Sequence, residues 1–267
     1  MCLEVWVCCL SQLENSGTPL EGSNYDFGAG GVGDGAQYPP VPGFPAVAAP
    51  FFPSFASALQ AGSARAEQSA AGDVFGAFTV QGHFSPGVAW SRALLLTAEG
   101  ALVAVDSLAV AAGDAAGAGW LAGPSWLLQA TAPGTAVAPN AFEFQGFNYT
   151  GCYGSNAGPS PERLLVALFA PGAPPGAAVA GTKAAAFDGR VLVESAFIRT
   201  QLGAGPAPTR FVSVLLPHGP AAAPAPLAAR VAAAREGAAT VVSVPLEAGG
   251  AATVRVGDDG SWSVTRS

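Results

Sequence analysis

Basic charge is scarce in this sequence. Lys183 is its one lysine, the ten arginines are scattered, and the net charge is −7. A nucleic-acid partner needs a track of cations along the phosphates, and no such run exists. The same scarcity leaves few cations for gripping an acidic glycan. Histidine is limited to His83 and His218. The four cysteines, Cys2, Cys8, Cys9 and Cys152, form no CxxC pair and no Cys/His array with zinc spacing. Neither a disulfide framework, a metal site nor a cofactor is therefore expected. Long uncharged stretches do occur, at residues 35–64 and Leu164–Thr182, but both are broken by repeated prolines. Backbone groups in lipid must be satisfied internally, so these are poor membrane spans and no membrane partner is expected. Glu4 stands where a secretory leader carries a basic residue, so no signal peptide is read at the start.

What the chain has in quantity is apolar and turn-forming residues. Hydrophobic residues make up 50% of it, too many for disorder throughout. Much of this is alanine, which buries little area, so the mean hydropathy of +0.38 overstates the core. Residues 16–72 are rich in glycine, proline, serine and alanine, and segments such as 28–35 and 38–45 cannot hold long regular structure. Gly28, Gly30 and Gly33 match GxGxxG, but no strand precedes them and no helix follows, so they read as a loop rather than a phosphate cradle. Residues 1–72 are thus expected to be irregular, with one helical or strand-like turn within 1–15.

From residue 73 the pattern becomes that of short strands separated by turns. Residues 74–81, 89–97 and 101–108 read as strands, the last two joined by a tight turn at Ala98-Glu99-Gly100. Further strands are expected near 126–131, 141–148, 163–169, 190–199 and 210–216. At the end, Val254, Val256, Trp262 and Val264 alternate with polar residues around Asp258-Asp259-Gly260, which reads as a hairpin with one buried face. Residues 227–236 favour a helix by propensity, which a sheet setting can override. The sum is an all-β protein: one antiparallel β-sandwich of about ten to twelve strands over 73–267.

The stretch from Gly82 to Asp106 carries a resemblance. Gly82-His83-Phe84, then the arginine-bearing strand around Val88-Ala-Trp-Ser-Arg92, then the apolar strand Leu102-Val-Ala-Val-Asp106 resemble the opening of the C-terminal sandwich of heparinase II/III-type polysaccharide lyases. Phe211–Pro217 and Asp259–Arg266 are similar to its later strands. The resemblance implies a carbon–oxygen lyase acting on uronic-acid glycans by β-elimination, and hence a polysaccharide partner. Members of that family also carry an α-helical toroid, which residues 1–72 are too short to contain. The chain is thus expected to be a portion of such an enzyme, inactive alone and lacking its toroid. Extracellular or secretory placement would follow only from a longer precursor. The alternative is a non-catalytic carbohydrate-binding or structural sandwich.

By the same resemblance His83 is the candidate catalytic base and Arg92 a candidate substrate contact. Some relatives hold a metal with two histidines and an aspartate. Here Asp106 matches the aspartate, but 123–129 offers no second histidine. The residues themselves support plainer readings beside these. His83 suits a hydrogen-bonded histidine at a strand end. Arg92, in an apolar strand, must find a partner, with Asp106 the natural one. Trp120, in a glycine-rich setting, is the best candidate for stacking on a sugar ring, whereas Trp262 suits the core. Asn148-Tyr149-Thr150 is a glycosylation sequon, relevant only on the secretory route.

Overall fold

The computed structural model describes residues 12–15, 62–81, 88–110, 124–130, 134–149, 156–171, 178–187, 190–201, 209–247 and 249–267. Among them lie sixteen strands and one helix. The strands are β1 (Gln12–Asn15), β2 (Gly62–Gln68), β3 (Val74–Gln81), β4 (Val88–Leu96), β5 (Leu102–Val110), β6 (Pro124–Ala130), β7 (Thr135–Ala138) and β8 (Ala141–Tyr149). There follow β9 (Asn156–Phe169), β10 (Ala178–Phe187), β11 (Arg190–Gln201), β12 (Thr209–His218), β13 (Ala232–Glu236), β14 (Ala239–Pro245), β15 (Ala251–Gly257) and β16 (Trp262–Arg266). The helix α1 spans Pro224–Arg230.

An eight-stranded sheet, ordered β2-β3-β4-β5-β12-β9-β8-β7, packs against a four-stranded one, β13-β14-β15-β16. A third sheet is ordered β1-β6-β11-β10. All strand pairings among the described residues are antiparallel. The protein is all-β, and the eight-on-four sandwich holds twelve strands.

The core follows from the pleat. Side chains alternate between faces along a strand, so register alone decides which residues share a face. The Glu99-Gly100 turn, with Gly100 at φ 90°, sets Leu96 opposite Leu102. Pairing from there aligns Phe75, Leu95, Val103 and Val214 in one row across β3, β4, β5 and β12. All four are buried, and they meet Val242, Val244, Val254 and Val256 of the smaller sheet. The Asp258-Asp259-Gly260 turn forms as its sequence predicts. Gly257 and Ser261 pair across it, and Gly260 takes φ 82°. Beyond it Trp262 turns inward and stacks on Phe75, ring centroids 5.3 Å apart. Its indole N–H donates to Glu67 at 2.7 Å.

Strands β7, β10 and β14 fall where the sequence reading named none, and two further stretches differ from it. Strand β2 falls inside the segment expected to be irregular. Its residues Gly-Ser-Ala-Arg-Ala-Glu-Gln are nearly all exposed, so no apolar alternation betrays it. It is held by pairing with β3 from Gly62↔Val80 to Gln68↔Val74. Residues 227–236 divide between two states. The helix begins earlier, at Pro224, where proline suits the first turn, and ends at Arg230. Val231 is already extended, and Ala232–Glu236 pair with β14. Propensity governs the first half and sheet pairing overrides it in the second.

On the opposite face of the large sheet, Arg92 and Asp106 are direct cross-strand partners between β4 and β5. Arg92 Nε donates to Asp106 Oδ1 at 2.6 Å and Nη2 to Oδ2 at 3.1 Å. Phe78 is register partner to Arg92 and Phe211 to Asp106. Arg92 is 5% exposed and Asp106 0%. Removing one partner of a buried pair strands a charge. Asp106→Ala is therefore expected to cost about 3–5 kcal/mol. The double change Arg92→Met with Asp106→Leu removes both charges and is expected to recover most of that loss. Urea denaturation midpoints decide it, and an unshifted midpoint for Asp106→Ala would refute the assignment.

A second tie joins the last strand to the large sheet. Arg266 of β16 donates to both Asp73 and Glu99, reaching Glu99 Oε1 at 2.6 Å. Burial pushes the Asp73 carboxyl up, but hydrogen bonds from Arg266, the Ala98 amide and Ser69 outweigh it, and the net direction is down from 3.8. A carboxyl held low when folded binds its proton more readily when unfolded, so its contribution is complete above the ordinary value and is lost as pH falls below it. Melting temperature is expected to stay level above about pH 5 and to fall as acid is added below 3.8. Asp73→Asn should flatten that acid limb. A wild-type and an Asp73→Asn curve of the same shape would contradict this.

Candidate functional site

A cleft of about 450 Å³ opens where the two sheets of the sandwich part. Its floor comes from the core face of the large sheet, one row beyond the packed interior. The row Ala77, Ala93, Val105 and Val212 is small and apolar. The next row, on the same face, is polar across five strands: Ser63, Thr79, Ser91, Ser107 and Arg210. Thr79 Oγ1 and Ser91 Oγ lie 2.9 Å apart and share a hydrogen bond. Both residues, and Ser107, are half-buried.

The rim is the β15–β16 turn. Arg210 Nη2 donates to Asp258 Oδ1 at 2.5 Å, and Arg210 Nη1 to Thr240 at 3.3 Å. Arg235 donates to both oxygens of the same carboxylate, to Oδ1 at 2.8 Å. Hydrogen bonding from Arg235 above all holds the Asp258 carboxyl below its ordinary value; burial opposes it, and a lesser hydrogen bond from Arg210 adds to the lowering. On the far side Arg65 lies 5.2 Å above the Phe75 ring, pairs with Glu67 at 3.3 Å, and donates to the Gly260 carbonyl. The backbone at Gly260 favours glycine, and the Arg65 side chain lies close by. Its φ is positive, and a Cβ would come within 2.9 Å of the Arg65 guanidinium.

Of the residues singled out from sequence, His83 and Trp120 lie outside the described residues. Arg92 borders the cleft between Ser91 and Ala93, but its guanidinium lies on the opposite face of the sheet, engaged with Asp106. His218 is buried at the end of β12. Its Nε2 stands 3.4 Å from Glu143 Oε1 without a hydrogen bond, and its Nδ1 is 3.0 Å from the Gly219 carbonyl. Trp262 packs inward and is not a free platform. Among the described residues no three His, Cys, Asp or Glu side chains converge as metal ligands, and no helix is long and apolar enough to cross a membrane.

The hydroxyl row was missed from sequence, although a signal existed. Phe75-x-Ala77-x-Thr79, Ser91-x-Ala93-x-Leu95 and Val103-x-Val105-x-Ser107 each carry a hydroxyl at one end of an apolar face. The Glu99-Gly100 turn fixes Ser91 opposite Ser107. What sequence does not supply is the position of β12, which brings Arg210 beside them from a hundred residues away.

Neither a family model nor a curated protein matches the chain. Among solved structures it is similar to a mutant of the heparan sulfate lyase HepC of Pedobacter heparinus, with 11% identity and a TM-score of 0.44, over 77% of this chain and 28% of that one. It is similar as well to heparinase III, with 15% identity and a TM-score of 0.41, over 77% and 27%. The chain spans a little over a quarter of the length of these structures.

Proposed function

We propose that this chain is the sandwich portion of a polysaccharide lyase acting on uronic-acid glycans, without turnover on its own. The observation that supports the reading most is the β3–β4–β5 meander. It joins the arginine-bearing strand to the aspartate-ending strand through the pair Arg92–Asp106. These are the elements on which the sequence resemblance rests.

Elimination asks for three groups at once. One neutralises the uronate carboxylate, a base takes the C5 proton, and an acid protonates the departing C4 oxygen as the C4–C5 double bond forms. His83, in the stretch between β3 and β4, is the proposed base. Trp120 is the proposed sugar platform, and a helical toroid the proposed source of the remaining groups. Arg92, committed to Asp106, would serve by fixing β4, the strand that follows His83.

A second reading, a non-catalytic carbohydrate-binding module, is favoured by the polar cleft described above.

The test is ultraviolet absorbance of the unsaturated uronate product on a uronic-acid polymer. No turnover is expected from the 267-residue chain. In a longer chain bearing a helical toroid, His83→Ala is expected to cut the rate about 10²–10⁴-fold with little change in melting temperature. Turnover by the isolated chain that survives His83→Ala would overturn both the reading and the site.

A further inference from the structure

We infer that the cleft between the hydroxyl row and the β15–β16 turn binds an uncharged glycosyl unit, a mono- or disaccharide. This deepens the carbohydrate-binding reading and does not depend on elimination.

Three observations converge on it. The first is size: 450 Å³ falls within the range of small-molecule sites, roughly 300–1,000 Å³. The second is the pattern of the floor. A sugar ring is amphipathic, with C–H faces and a hydroxyl girdle. Here Ala77, Ala93 and Val105 give a flat apolar strip because their side chains are short, and Ser63, Thr79, Ser91 and Ser107 give a parallel line of hydroxyls. Neighbouring strands are about 4.8 Å apart, so these hydroxyls recur at about the width of one pyranose ring. Each is donor and acceptor at once, as sugar hydroxyls are. Thr79 and Ser91 satisfy one another, whereas the Ser107 hydroxyl has no protein partner among the described residues and faces the cleft.

The third observation is charge. Arg65 and Arg210 line the cleft together with Asp258 and Asp259, while Glu67 pairs with Arg65 and Arg235 with Asp258. Every one of these arginines has a carboxylate partner. An anionic sugar entering here would displace a carboxylate or sit beside Asp258 and Asp259, and like charges repel. A neutral unit meets no such opposition. It can accept from the N–H groups of Arg210 that Asp258 and Thr240 leave over and donate to Asp259.

Isothermal titration of the 267-residue protein tests this, with cellobiose and chitobiose as neutral probes and a glucuronate-containing disaccharide as the charged one. At least one neutral probe is expected to bind with a Kd on the order of 1 mM or tighter. Ser107→Ala is expected to weaken binding several-fold, and Ser107→Tyr, which fills the cleft from a half-exposed position, to abolish it with an unchanged melting temperature. Should Ser107→Tyr fail to fold, Ser63→Tyr at the exposed end of the row takes its place. The inference fails if neither neutral disaccharide binds up to on the order of 10 mM. It fails equally if the variants bind as the wild type does, or if the glucuronate probe binds more tightly than the neutral ones. Lyase activity, present or absent, has no bearing on these outcomes.

Discussion

A guanidinium and a carboxylate placed face to face on adjacent strands, both out of water, leave a sheet little freedom. Arg92 and Asp106 cannot slide by one residue against each other. A slip would turn one of them to the other face, leaving a bare charge against apolar neighbours. The pair therefore pins β4 to β5 in a single register. That register in turn lines up the rows on both faces. Phe75, Leu95 and Val103 reach the small sheet together because Arg92 and Asp106 meet behind them. The hydroxyl line of Thr79, Ser91 and Ser107 has the same origin. The pair's worth lies less in net stability, since burial of charge offsets much of the attraction, than in the alignment it enforces.

The smaller sheet is attached at two ends in different ways. At one, Trp262 lies flat on Phe75 and its N–H is satisfied by Glu67 of β2, so an apolar contact and a hydrogen bond share one side chain. At the other, Arg266 spans Asp73 and Glu99, tying the end of β16 to the start of β3 and to the β4–β5 turn. Between these ties the valines of β14 and β15 supply the dry interior. The cleft lies past the Trp262 end, where the β15–β16 turn stands off from the sheet and Arg65 and Arg210 close the gap from either side.

How much of this can be read from the residues depends on whether local pattern and tertiary setting agree. In β15 and β16 they do. Valine and tryptophan alternate with polar residues, the glycine turn has one satisfactory geometry, and fold class and hairpin follow. In β2 they do not, because an edge strand paired on one side buries almost nothing and its composition is that of a loop. In 224–236 one alanine-rich stretch serves a helix and then a strand, and Val231, buried and extended, marks a switch that only the packed sheets dictate. The cleft was illegible for a different reason. Its residues are common serines and threonines, unremarked singly, and acquire meaning only when five strands set them in line.

The borders of the large sheet bear on how this chain behaves among copies of itself. Among the described residues both outer strands, β2 and β7, pair on one side alone, and such edges are the usual starting point for edge-to-edge association between molecules. β7 is only four residues long, and Pro139 follows it at once, lacking an amide to offer an incoming strand. β2 is longer but carries Arg65 and Glu67, on the side chains that also fasten the β15–β16 turn and Trp262. The groups that close the cleft thus double as guards of the exposed edge. Loss of Arg65 or Glu67 would loosen the rim and, in the same stroke, remove charge that discourages another chain from adding a ninth strand.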